Sequence, residues 1–237
     1  MTNPVKIWTN EKLWALAIGE TVAWAGLYYI FPVALLSWNS DFGWSIEKLS
    51  IGFSIALICS ALSGIFAGRL IDMGKSKILM PTSILFGAGL LCLLPHITQI
   101  WHFYLLWGAI GITLAGCLYE PCFSFLTRTY QEEARKPIIM VTLVAGFAST
   151  LCYPCFSWLS QIYGWNSAIY VFAATTCAIC VPLFWYGTSI ENNSCDTPIK
   201  EEGTLTSITT SMFRNPIFWG VFLTFVALSL NHGMITS

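Results

Sequence analysis

Long apolar runs dominate this chain and leave it few ways to fold. They fall at Leu13–Leu36, Leu49–Leu70, Ile78–Pro95, Trp101–Leu126, Pro137–Leu159, Ala168–Gly187 and Pro216–Ser237. Each is long enough to cross the hydrocarbon core of a bilayer, about 30 Å thick, which takes about 20 helical residues. Inside hydrocarbon every backbone N–H and C=O must be bonded internally, so each run is expected to be a helix. A barrel would need short alternating strands, and these runs are continuous. The chain is 56% apolar and 10% charged. No water-soluble core of 237 residues hides that much apolar surface. A soluble enzyme and a disordered chain are therefore excluded. A net charge of −1 offers no basic footprint, so no nucleic-acid partner is expected. The expected fold is all-α: a multispan transmembrane helix bundle in contact with membrane lipid.

The connections divide the runs. Most are short and polar. One, Thr188–Asn215, is long and rich in Ser, Thr, Asn and Glu, and it separates six spans from a seventh. The expected organisation is a six-helix bundle over 1–187, a central loop over 188–215 and a seventh span over 216–237. A short surface helix is expected at Thr204–Arg214. The nine Cys are an odd count, and eight lie in apolar stretches. They read as small hydrophobes, not as a disulfide framework.

Orientation follows from Lys and Arg. Of 11 in the chain, ten lie at the N-terminus or in the even-numbered gaps, and only Lys48 lies in an odd one. This predicts a cytoplasmic N-terminus in a multi-pass protein of the plasma membrane (the inner membrane, for a bacterial chain). It also makes the central loop cytoplasmic. Trp38, Trp44, Trp101 and Trp165 fall near the outer span ends, where amphipathic rings favour the interface.

The gap after span two reads Gly68-Arg69-Leu70-Ile71-Asp72-Met73-Gly74-Lys75-Ser76-Lys77. It resembles the loop 2–3 signature of the major facilitator superfamily, G-x-L-x-D-r-x-G-r-k, at the expected place and side. Met73 takes the usual basic position, and Gly74 comes one place early. Gly68 is expected to let helices approach closely. Gly74 permits a tight turn, Asp72 accepts bonds at a helix end, and Lys75 and Lys77 hold the cytoplasmic side. The gap after span five, Ser157-Trp158-Leu159-Ser160-Gln161-Ile162-Tyr163-Gly164, is a faded copy three spans later, as nested repeats predict.

The resemblance implies 3+3 inverted repeats and a transporter of small solutes by alternating access. It implies a gating role for Gly68, Asp72, Gly74, Lys75 and Lys77. It also implies that the chain is truncated: an N-terminal bundle and a seventh span, whose partner is a missing C-terminal bundle. Span four lacks the Arg, and span five the G-x3-G-P-x2-G-G pattern, of proton-coupled drug antiporters. The Gly-rich first span and Gly43-Trp44-Ser45 are loosely similar to the branch of monocarboxylate and oxalate/formate carriers, which implies an organic anion or monocarboxylate as solute. A proton and an anion both stand open as the coupled species. No enzyme activity, catalytic residue, cofactor or metal site is implied. The alternative is a non-transporting remnant or scaffold.

A charge inside a bilayer is costly, so intramembrane carboxylates point to function. There are two, Glu20 in span one and Glu120 in span four. Each lies about seven residues, roughly 10 Å, from the cytoplasmic boundary, so one cavity wall shared by both is expected. Either would carry a proton or touch solute. Glu120 has a structural alternative as the partner of Lys75, Arg69 or Arg128. In span seven, Asn231 and His232 form a further candidate pair for solute or proton, against the plain alternative of a hydrogen-bonded buried His. Cys152-Tyr153-Pro154-Cys155 sits within a span, away from a helix N-terminus. A helix kink at Pro154 is its expected meaning.

Overall fold

The computed structural model describes residues 7–189 together with 219–220. The chain divides into two units, Met1–Asp196 and Thr197–Ser237. All the helices named here belong to the first. Among the described residues every regular element is helical. The expected surface helix at Thr204–Arg214 and the seventh span lie outside the described residues, apart from Trp219 and Gly220.

Asn10 starts span one by accepting from the backbone N–H groups of Lys12 and Leu13 at 3.1 and 3.2 Å, which satisfies donors that a helix leaves open. Span one consists of α1 (Glu11–Ala23), a π-helical turn (Trp24–Tyr28) and α2 (Ile30–Phe42). Gly43, with φ at +66°, ends it. Span two is α3 (Ile46–Asp72) and span three α4 (Ser76–Leu91). Span four breaks at Leu118 (φ −94°, ψ −160°) into α5 (Ile100–Cys117) and α6 (Tyr119–Tyr130). Then come α7 (Arg135–Ala145) and α8 (Ala148–Gly187).

Five stretches are long and apolar enough to cross a membrane, the last being Arg135–Gly187 with 53 residues. As one rod it would reach about 80 Å, far beyond a bilayer of about 30 Å. It folds back instead. Gly164 breaks the helix at φ 79°, ψ 157°, a conformation open essentially to Gly alone. Phe156 and Phe172, equally far from it in sequence, meet with ring centroids 5.7 Å apart. The stretch is thus two antiparallel legs, matching the expected spans five and six.

Spans one and four run antiparallel, side by side, and their contacts form a ladder. Trp38 meets Phe103 at 5.6 Å, Phe31 meets Trp107 at 4.7 Å and Trp24 meets Tyr119 at 4.6 Å. At the far end Asn10 Nδ2 donates to the Tyr130 hydroxyl at 3.0 Å. Small residues bring other helices together. A Cβ on Gly111 of span four would collide with the main chain of Ala56 in span two, and one on Gly26 of span one with Thr176 of span six. The apolar core runs the length of this packing, from Leu13, Ile71 and Leu126 to Trp38 and Phe103. Trp38 and Trp107 have 0% exposure. Trp38 is therefore a core residue, not the interfacial anchor expected from its position. Trp165 is also buried, with its indole N–H donated to Asp41. Of the four expected anchors, Trp101, 69% exposed, is free to sit at an interface, and Trp44 is intermediate.

One end of the bundle collects the basic residues. Lys12 Nζ donates to the Ser189 carbonyl at 2.7 Å. Lys77 Nζ lies 4.8 Å from the Trp185 ring centroid, a cation–π contact. The Tyr186 hydroxyl donates to Glu11 at 3.2 Å. The start of span one, the start of span three and the end of span six thus share one face.

Candidate functional site

Glu20 sits in the last turns of α1, directly before the π-helical turn. There the Tyr29 N–H reaches back five residues to the Trp24 carbonyl at 2.9 Å. Such an insertion interrupts the regular ladder and is frequent at functional sites. The Glu20 side chain has 0% exposure. Cys122 of α6 and Trp24 adjoin it, yet neither forms a hydrogen bond of ordinary geometry. Both carboxyl oxygens, and Trp24 Nε1, have no partner among the described residues. Two nearby thiols spend their hydrogens elsewhere: Cys180 on the Gly19 carbonyl at 3.3 Å, Cys117 on that of Thr113 at 3.1 Å. A buried polar group left unpaired costs about 1–3 kcal/mol, and an ionised one far more. A protein keeps such a group where it is used.

Glu120 lies elsewhere. It is exposed, in the first turn of α6, with its carboxylate against Gly64 of α3: a Cβ there would stand 3.1 Å from Oε2. The reason is helical phase. Cys122, which faces Glu20, is two residues on, hence about 200° around the helix. The expected common wall for Glu20 and Glu120 therefore does not form: the two acids occupy opposite sides of span four. The break at Leu118 also places the start of α6 within the span, where a helix N-terminus favours negative charge.

The turn after span two closes as the sequence suggests, with one difference. Gly74 has φ +75°. Its N–H bonds the Ile71 carbonyl at 2.8 Å, and the Lys75 N–H bonds that of Leu70 at 2.9 Å. This paired closure ends many helices and requires a left-handed residue. Arg128, at the end of α6, donates to the carbonyls of Ile71 and Asp72. Span four thereby holds the end of span two. Asp72, Lys75 and Lys77 are exposed around this turn. Gly68 differs from expectation: a Cβ there would meet nothing within 4 Å, so among the described residues it brings no helices together.

Sequence reasoning missed an aromatic wall. Trp24, Tyr28 and Tyr29 of span one, Phe53 of span two, and Tyr119 and Phe123 of span four are each half-buried and touch in series. Trp24–Tyr28 is 4.7 Å, Tyr28–Phe53 5.1 Å and Tyr119–Phe123 5.0 Å between centroids. The i, i+4 spacing of Trp24 with Tyr28 and of Tyr119 with Phe123 was the available signal. Separately, a cavity of about 280 Å³ opens between spans one, five and six, lined by Thr21, Cys152 and Thr176 among mostly apolar groups and by no charged side chain. Cys152 donates to the Ala25 carbonyl at 3.2 Å and Cys155 is exposed. No group of three or more His, Cys, Asp or Glu among the described residues is placed to hold a metal ion. Asn231 and His232 lie outside the described residues.

Among curated proteins the chain finds no match. A family model does match, over residues 16–237, and its description is Major Facilitator Superfamily.

Proposed function

The chain belongs to the Major Facilitator Superfamily, whose members are membrane transporters of small solutes, and we propose that it works by alternating access with Glu20 as its proton-carrying group. The observation that carries this reading is the fully buried Glu20 carboxyl, unpartnered among the described residues, beside a helix interruption. Burying a carboxylate without a partner is prohibitive, so the closed pocket suits the protonated acid. A conformation that opens the pocket to water suits the ionised one. Transport would couple these two states, since a proton bound on one side must leave on the other.

The turn around Asp72 and Gly74 would act as the latch of the basic end, with Arg128 clasping the carbonyls of Ile71 and Asp72. That end would face the cytoplasm, as the asymmetry of Lys and Arg predicts. The organic-anion reading lacks comparable support. No Lys or Arg lies in the apolar middle of spans one to six to receive a carboxylate.

The test is reconstitution into liposomes, a screen of labelled solutes, and then uptake as a function of an imposed pH gradient. Glu20→Gln removes the titrating group but keeps the shape. Uptake by this variant is expected to lose its response to the gradient. An unchanged response refutes the role of Glu20.

A further inference from the structure

We propose that the aromatic wall, with Glu120 on its flank, is a binding surface for an organic cation: a monovalent ammonium carrying an apolar body. This rests on the transporter reading and specifies the solute class of the same bundle.

Six rings, Trp24, Tyr28, Tyr29, Phe53, Tyr119 and Phe123, form one connected surface from three spans. A core cluster would be fully buried, like Trp38 and Trp107 at 0% exposure. Trp24, Tyr28, Phe53 and Phe123 border that core, and all six rings remain partly exposed. Their faces carry the negative part of the ring quadrupole, which attracts cations within about 6 Å of a centroid.

The polar groups point the same way. The hydroxyls of Tyr28, Tyr29 and Tyr119 make no hydrogen bond among the described residues. Behind Trp24 lies the buried Glu20 carboxyl, unpartnered among the described residues. Exposed Glu120 follows Tyr119 on α6, about 100° around the helix from it and about 60° from Phe123. The open flank of α6 therefore presents two rings and a carboxylate. Against these acids, spans one to six hold no Lys or Arg in their apolar middles. An anion would find no Lys or Arg there, only the N-terminus of α6 and hydroxyl donors, beside the exposed Glu120 carboxylate. A cation with an apolar body meets an acid and π faces together, and a neutral solute of the same shape forgoes both.

The experiment compares three probes on the solubilised full chain by quenching of tryptophan fluorescence, and by equilibrium dialysis for confirmation. They are benzyltrimethylammonium, its neutral carbon isostere 2,2-dimethylpropylbenzene, and benzoate. The cation is expected to bind at least about tenfold tighter than the isostere, and benzoate not at all. Trp24→Ala and Glu120→Gln are each expected to weaken the cation about tenfold, with isostere binding unmoved by Glu120→Gln. Trp24→Phe keeps a π face and is expected to retain most affinity, which separates lost recognition from lost folding. Equal binding of cation and isostere, binding of benzoate, or no binding of the cation overturns the proposal. The liposome screen reports separately on transport. Uptake confined to anions or neutral solutes sinks the cation surface and leaves the transporter reading standing. Absence of uptake for every solute sinks the transporter reading itself.

Discussion

Gly111→Ala tests how the bundle is held together. In span four, a Cβ at this position would lie 2.7 Å from both Cα and the carbonyl carbon of Ala56 in span two. Non-bonded carbons prefer about 3.5–4.0 Å. The helices must therefore separate by roughly 1 Å, because backbone atoms cannot rotate aside as a side chain does. Overpacking of this kind costs about 1–3 kcal/mol. For a chain of this size each kcal/mol shifts Tm by about 2–4 °C, so the fall is about 2–12 °C. The assay heats the solubilised protein in steps and follows the surviving monodisperse peak by size exclusion. Gly68→Ala is the control. A Cβ there meets nothing within 4 Å, and Ala is favoured over Gly in a helix by about 1 kcal/mol. It should leave Tm unchanged or raise it. A Gly111→Ala protein as stable as the parent, or an equal fall in Gly68→Ala, would refute the packing argument.

Other substitutions separate structure from gating. Gly164→Ala forces a Cβ into φ 79°, ψ 157° and should cost about 1–3 kcal/mol, read as a lower Tm in the same heating series. Arg128→Ala removes the donor to Ile71 and Asp72. A cysteine placed at Lys75 should then label faster with a water-soluble maleimide, whereas an unchanged rate contradicts the clasp. Asp72 is the last residue of α3, where a helix C-terminus disfavours negative charge by about 0.3–1 kcal/mol. Asp72→Asn should keep or slightly raise Tm while impairing transport; a stable variant with full transport denies it a gating role.

What was legible in the sequence follows from what each signal measures. Apolar length marks every crossing, because the bilayer demands it. The reversal at Gly164 was therefore visible as a gap between runs although the helix is nearly continuous. The turn at Gly74 was visible because its closure needs a left-handed residue. Close approach was misplaced to Gly68, since a glycine in a motif says nothing about its neighbours. Gly111 and Gly26 do that work because Ala56 and Thr176 stand opposite them. Glu20 stood out as an acid in a span, and its burial agrees with that prominence. Its separation from Glu120 depends on helical phase about Leu118, which depth alone does not encode. The burial of Trp38 depends on Phe31, Phe103 and Trp107 gathering around it, a long-range fact invisible in local sequence.

The interruptions at Trp24–Tyr28 and at Leu118 stand at one level, since Trp24 touches Tyr119. Above that level the two rods are welded by the rings of Phe31, Trp38, Phe103 and Trp107. Below it, each rod has a joint where the regular ladder is broken, and Glu20 lies just beneath the first. Spans one and four thus share one level of interruption. Span two passes the same level as one unbroken helix, so a bend of spans one and four there would work against it, and any such bend must carry the buried carboxyl with it.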